Sequence, residues 1–433
     1  MLSRTSGYVC QVFTSLVLAL LLGAPLTSGA ESNTDWPQWR GPNRDDLSAE
    51  TGLLQAWPEG GPQRLWLYEN CGLGYAGPSI VGDRMFIMGT RGDVEILICL
   101  KTDDGTEVWN REIGPIFEND WGNGPRSTPT VDGGNVFALG AQGNLICVAA
   151  SSGELHWTTS FTEDLGGKVP SWGFAESPLV MEDRVLCSPG SEKGGVIAAL
   201  DRETGEKIWL SSPQVGDAHY SSIMLTEQDG QTIGVQLLEK SLIGFSPLDG
   251  AVHWSIPWPG RIAVVPTPII LGNRVYVTSG YGAGCSLIRL GTDRQAEPLF
   301  ENKNMVNQHG GVILLGDHVY GYSEGKGWVC QEFSTLETTW REKGELGKGA
   351  IAYANNRFYC LAEESGEVAL ISTSTAGWEE HGRFTLDPQT SLRKPSGKIW
   401  VHPVISGGRL FLRDQEYVYC YDVRGGRSLS HKQ

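Results

Sequence analysis

Seven short stretches of this 433-residue chain gather the side chains best suited to holding a ligand. They read Trp121-Gly122-Asn123-Gly124-Pro125-Arg126, Ser171-Trp172-Gly173-Phe174-Ala175-Glu176, Asp217-Ala218-His219-Tyr220, Arg261-Ile262-Ala263, Asn307-Gln308-His309, Lys348 and Lys398-Ile399-Trp400-Val401-His402. Together they are richer in aromatics, His and Arg than the rest of an acidic chain. Converging aromatic and polar groups are what a pocket or a peptide-binding funnel needs. The candidate binding residues are Arg126, Trp172, Glu176, His219, Tyr220, Arg261, Asn307, His309, Trp400 and His402. His219, His309 and His402 make a metal set only where the fold brings them together. No phosphate-binding glycine loop or His-Glu-x-x-His is present, and no residue is assigned to catalysis.

Each stretch stands just before a short apolar run, and those runs belong to a repeat. A large aromatic recurs every 40 to 52 residues, at Trp66, Trp109, Trp157, Trp209, Trp254, Phe300, Trp340 and Phe384. The clearest copy spans Ala199 to Trp209 and carries a Thr204-Gly205-Glu206 turn before its tryptophan. Upstream of each aromatic lie paired short strands, such as Thr130-Val131 with Val136-Phe137, joined by turns rich in Gly, Asn and Asp. A period near 45 residues built from strands is the mark of an all-β propeller with four strands to a blade. Starting strands near Pro78, Pro129, Pro178, Ser222, Pro268, Val312, Ala352 and Pro403 make eight blades. Seven is the competing number, because the copies ending at Phe300 and Phe384 are degenerate. The last copy stops after Tyr417-Val418-Tyr419-Cys420-Tyr421 without an aromatic outer strand. The strand around Trp66 is expected to supply it and so close the ring. The aromatics are expected to fill the wedges between blades. The loops that carry the candidate site would then meet at one mouth of the central channel.

Residues 1–30 read as a cleaved signal peptide, with Arg4 before an apolar stretch and Ser28-Gly29-Ala30 at its end; an uncleaved anchor is the alternative. Residues 31–62 read as an extended arm, packed on the outside by Trp36, Trp39 and Trp57, and 63–433 as a single propeller domain. A periplasmic or secreted protein follows. The formal charge of −16 does not provide the basic footprint of a nucleic-acid binder. A monomer with an envelope protein or peptide as partner is expected. Cys99, Cys147, Cys330 and Cys420 occupy equivalent repeat positions, too far apart to be bridged, and read as buried thiols. Cys71 and Cys285 are the one pair worth testing for a disulfide.

The Ala-x-Asp-x-x-Thr-Gly-x-x-x-Trp unit at Ala199 to Trp209 resembles the tryptophan-docking repeat of the pyrroloquinoline-quinone (PQQ)-like propeller superfamily. Asp35-Trp36-Pro37-Gln38-Trp39-Arg40-Gly41-Pro42 looks like the leading segment of its secreted bacterial members. The resemblance spans the mature chain and implies an eight-bladed fold. For activity it implies two options. One is a cofactor-free scaffold, similar to the propeller of the outer-membrane β-barrel assembly machinery. The other is a PQQ-dependent dehydrogenase of reduced size that holds Ca²⁺, with Glu176 and Asn307 as imaginable ligands. Many of the enzymes carry adjacent cysteines over the quinone, and this chain has no Cys-Cys pair. The scaffold option fits the length better and implies no cofactor. It lacks the lipid-attachment cysteine of its lipoprotein relative.

Overall fold

Short apolar runs separated by Gly-, Asn- and Asp-containing turns fold as antiparallel hairpins, because those residues accept the backbone angles of a tight reversal. The computed structural model describes residues 34–191, 195–211 and 216–426, so the expected export signal lies outside the described residues. The described residues contain no helix and form eight sheets of four antiparallel strands, with Leu47–Ser48 added to one of them. The innermost strands are Ser79–Val81, Thr130–Asp132, Leu179–Met181, Met224–Gln228, Ile269–Leu271, Val312–Leu315, Gly349–Ala354 and Val404–Ser406. In this order they head blades 1 to 8. The fifth and seventh copies are complete blades, which decides between eight and seven.

Both faces of each blade are buried. Val136 packs with Phe86 and Met88 of blade 1, while its neighbour Phe137 packs with Val185 of blade 3. Successive residues of a strand point to opposite faces, so strands covered on both sides read as continuous apolar runs. Eight hydrophobic clusters result, one at each junction, and one of them joins Phe411 and Val418 of blade 8 to Ile80 and Met85 of blade 1. The ring is therefore closed. Arg64–Tyr68 is the outer strand of blade 8, with Trp66 opposite Cys420 and Leu67 opposite Tyr419, as the sequence pattern predicts.

The recurring aromatics seat on the following blade. Trp66, Trp109 and Trp157 donate through Nε1 to the carbonyls of Thr102, Ala150 and Arg202 at 2.9, 3.2 and 2.9 Å. Each ring covers the glycine three residues beyond that carbonyl. A Cβ on Gly105, Gly153 or Gly205 would stand 2.8, 2.6 or 2.5 Å from the ring, and all three glycines have φ above +70°. Only glycine satisfies both conditions at once. Trp209 lies on Gly250 and Phe384 on Gly61 in the same way. Trp340 donates to the Ser374 carbonyl at 3.0 Å. Trp254 donates to Gln228, whose amide in turn donates to the Gly291 and Gln295 carbonyls of blade 5. Phe300 breaks the expected pattern and is 47% exposed. Leu336, at φ +61°, holds the place that glycine takes in the regular copies, and its buried side chain fills the junction.

The arm also departs from expectation. Trp36 and Trp39 do not pack on the outside. Instead, residues 36–48 reach the first strand of every blade, or a residue one or two positions before it. Trp36 exchanges backbone hydrogen bonds with Ile80, and the Val131 N–H donates to the Pro37 carbonyl. Trp39 Nε1 donates to Thr267 Oγ1 at 3.0 Å, and Arg40 Nη2 to the Val312 carbonyl at 2.6 Å. Arg44 donates to the carbonyls of Ser177, Pro178 and Ile223. Leu47–Ser48 runs parallel to Tyr353 and Ala354, and Ser48 Oγ donates to the Ile405 carbonyl. Innermost strands leave one edge of their backbone groups without a strand partner, and buried groups of that kind must be satisfied. A segment of tight turns with two arginines does this at the centre. Trp57 lies away from the axis, against Tyr359 and Phe384 in the blade 7–8 junction.

All eight described cysteines are buried and free. The suggested Cys71–Cys285 bridge is ruled out by position, since Cys71 sits in the blade 8–1 junction and Cys285 in the blade 5–6 junction.

Candidate functional site

Loops that feed the inner strands, together with the arm, enclose a cavity of about 350 Å³. Trp39 of the arm contributes to its wall. Tyr75, Trp121, Arg126, Trp172, Tyr220, Ile262, Tyr281, His309 and Trp400 complete most of the lining. No lining residue is a carboxylate.

Local packing fixes the rings. Tyr75 donates its hydroxyl to the Trp121 carbonyl at 2.8 Å, and Gly122 follows because a Cβ there would stand 1.9 Å from that hydroxyl. Trp400 is the hub, with His309 stacked on it at 4.6 Å, Tyr75 at 5.2 Å and Trp121 at 6.3 Å. Trp172 meets Tyr220 edge-on at 6.0 Å. Offset and edge-to-face geometries of this kind are the favourable ones for aromatic pairs.

Arg126 is the one cation of the wall. It donates to the carbonyls of Gly124 and Gly122 at 2.7 and 2.8 Å and lies over the rings of Phe117 and Tyr75. Burial pushes its guanidinium down to about 10, which leaves it charged at neutral pH. Glu95, the carboxyl that acts on it, is occupied by the N–H groups of Phe117 and Ala141, and burial pushes it up to about 7. The positive charge is thus only partly offset. Burial, then the Lys348 ammonium and His402, hold the His309 imidazole down at about 3, so it is neutral, and its Nδ1 is buried without a partner. Burial raises the Tyr220 phenol to about 12.

The lip is strained. Ile262 and Tyr281 have φ of +60° and +57°, and Ile262 is 53% exposed. A β-branched residue in the left-handed region is an outlier, and such strain gathers at functional sites.

Of the ten candidate residues, the structure brings Arg126, Trp172, Tyr220, His309 and Trp400 to the cavity. The other five lie elsewhere. Glu176 is buried against the Ser188 N–H with Arg44 nearby, and burial raises its carboxyl to about 8. Asn307 gives its amide to the carbonyls of Gly311 and Tyr322. His402 faces Asp46 at 3.1 Å and the His309 carbonyl at 2.8 Å, beside the buried Arg40–Asp46 pair. His219 is buried 3.8 Å from Glu239. Arg261 is exposed, and its neighbour Ile262 faces the cavity instead. Among the described residues no group of three or more His, Cys, Asp or Glu can hold a metal, so the three histidines form no set. A Ca²⁺–PQQ centre needs oxygen ligands, and the two imaginable ones, Glu176 and Asn307, do not line this cavity.

Trp39, Tyr75, Trp121, Tyr281 and the lip residue Ile262 also line the cavity and were not among the ten candidates. The proximity of Arg40 and Arg44 to Trp39 was the available signal, since buried arginines need many acceptors.

Residues 93–369 match the family described as outer membrane protein assembly factor BamB. BamB from Moraxella catarrhalis shares the fold at 14% identity and TM-score 0.57, over 80% of this chain and 96% of that one. Quinohemoprotein alcohol dehydrogenase from Comamonas testosteroni does so at 12% identity and TM-score 0.61, over 92% and 82%. Sqt1 from Saccharomyces cerevisiae aligns at 10% identity and TM-score 0.57, over 84% and 100%. At these identities the likeness is one of fold. A search of curated proteins finds no match.

Proposed function

The chain belongs to the family of outer membrane protein assembly factor BamB, and on that premise we propose a non-catalytic binding module of the cell envelope. Its ligand, a protein or peptide segment, sits at the aromatic mouth of the channel. One observation carries this reading: a preformed aromatic cavity of about 350 Å³ whose wall holds a cation and no carboxylate. It offers large apolar surface and hydrogen-bond donors, which suit recognition, and no nucleophile paired with a base. The expected leader at residues 1–30 supports an envelope location.

The test places a photoreactive phenylalanine at Ile262 on the lip, and separately at exposed Leu271 at the far end of the neighbouring strand. Discrete adducts with envelope proteins from the first position only, suppressed by excess unlabelled chain, are expected. Equal labelling from both positions would remove the reading. Addition of PQQ with Ca²⁺ is expected to change neither the absorbance of the quinone nor the melting temperature of the protein.

A further inference from the structure

We infer that the group received at this mouth is an aromatic ring carrying a single carboxylate, with Arg126 selecting the charge. The inference rests on the binding-module reading. The wall presents ring faces and edges around Trp400, Trp121 and Trp172, a surface that pairs with another ring. The one charged donor there is Arg126. Arg126 uses two of its five N–H groups on the Gly122 and Gly124 carbonyls. His309 Nδ1 is buried without a partner.

The Arg126 guanidinium repels an ammonium group, and no carboxylate lines the cavity to offset it. A guanidinium that is only partly offset favours a carboxylate, through charge-assisted hydrogen bonds. One cation also limits the ligand to one charge, since a second buried carboxylate would be left without a partner. The left-handed backbones of Ile262 and Tyr281 on the same lip are an independent sign of a built site.

Calorimetric titration of the full chain tests this with four compounds: N-acetyl-tryptophan, its amide, N-acetyl-leucine, and the tetrapeptide acetyl-Ala-Ala-Gly-Trp. The acid is expected to bind about 10-fold more tightly than the amide, the scale of one charge-assisted bond. N-acetyl-leucine is expected to bind more weakly than N-acetyl-tryptophan. In Arg126→Gln the acid-to-amide ratio should fall toward one. Where that variant does not fold, the wild-type ratio decides alone. Tetrapeptide binding at least as tight as that of the small acid assigns the group to a chain end. Binding of the small acid alone assigns it to a free acid. Both uphold the inference. Equal affinity for acid and amide, a tighter amide, leucine as good as tryptophan, or no heat with any compound overturns it. Labelling at Ile262 judges the module reading separately.

Discussion

A tryptophan ring and a glycine one blade later form a single structural unit in this protein. Trp157→Ala removes a buried ring and its bond to the Arg202 carbonyl, and is expected to cost about 3–5 kcal/mol in urea unfolding. Phe300→Ala should cost less than about 1 kcal/mol, because that residue is exposed and belongs to no junction cluster. Equal losses in the two variants would contradict the seating argument. The period in the sequence reveals where the aromatics fall. It is blind to the seat on the next copy, so Phe300 reads like the others until Leu336 is found in the place of glycine.

At the scale of elements, the loops and the arm divide the work. Loop residues just ahead of an inner strand were readable as a mouth from the strand starts alone, and Trp172, Tyr220 and Trp400 do line the cavity. Within the same loops, Glu176, Asn307 and His402 turn inward to satisfy nearby N–H and carbonyl groups, a choice that spacing cannot reveal. The arm was least legible, because it has no periodicity and its meaning comes from contacts to eight distant blades. Arg44 joins blades 3 and 4 through it. Arg44→Met should leave the buried Ser177 and Ile223 carbonyls short of a donor, while Pro178 keeps its bond from Thr130, and cost about 2 kcal/mol or more. Faster deuterium exchange in Leu179–Met181 and Met224–Gln228 should accompany the loss. Unaltered exchange there would show that the arm is dispensable.

The whole molecule depends on closure. Eight junction cores stabilise a ring only when none is left open, and the blade 8–1 core includes Trp66 from the N-terminal strand. A chain starting at Glu69 lacks that strand and exposes the edge of Tyr417–Asp422. It is expected to form oligomers rather than monomers in light scattering, as bare edges do. A stable monomer would disprove the closure argument. This level was the most legible in the sequence, since a missing outer strand at one terminus and a spare one at the other can be matched by inspection.

Synthesis brings out residues 36–48 before any of their partners exist, and the acceptor of Ser48 at Ile405 follows 357 positions later. The spindle of this molecule is therefore made first and seated last. A nascent chain halted after seven blades would have its opening stretch in hand and no finished bore to put it in.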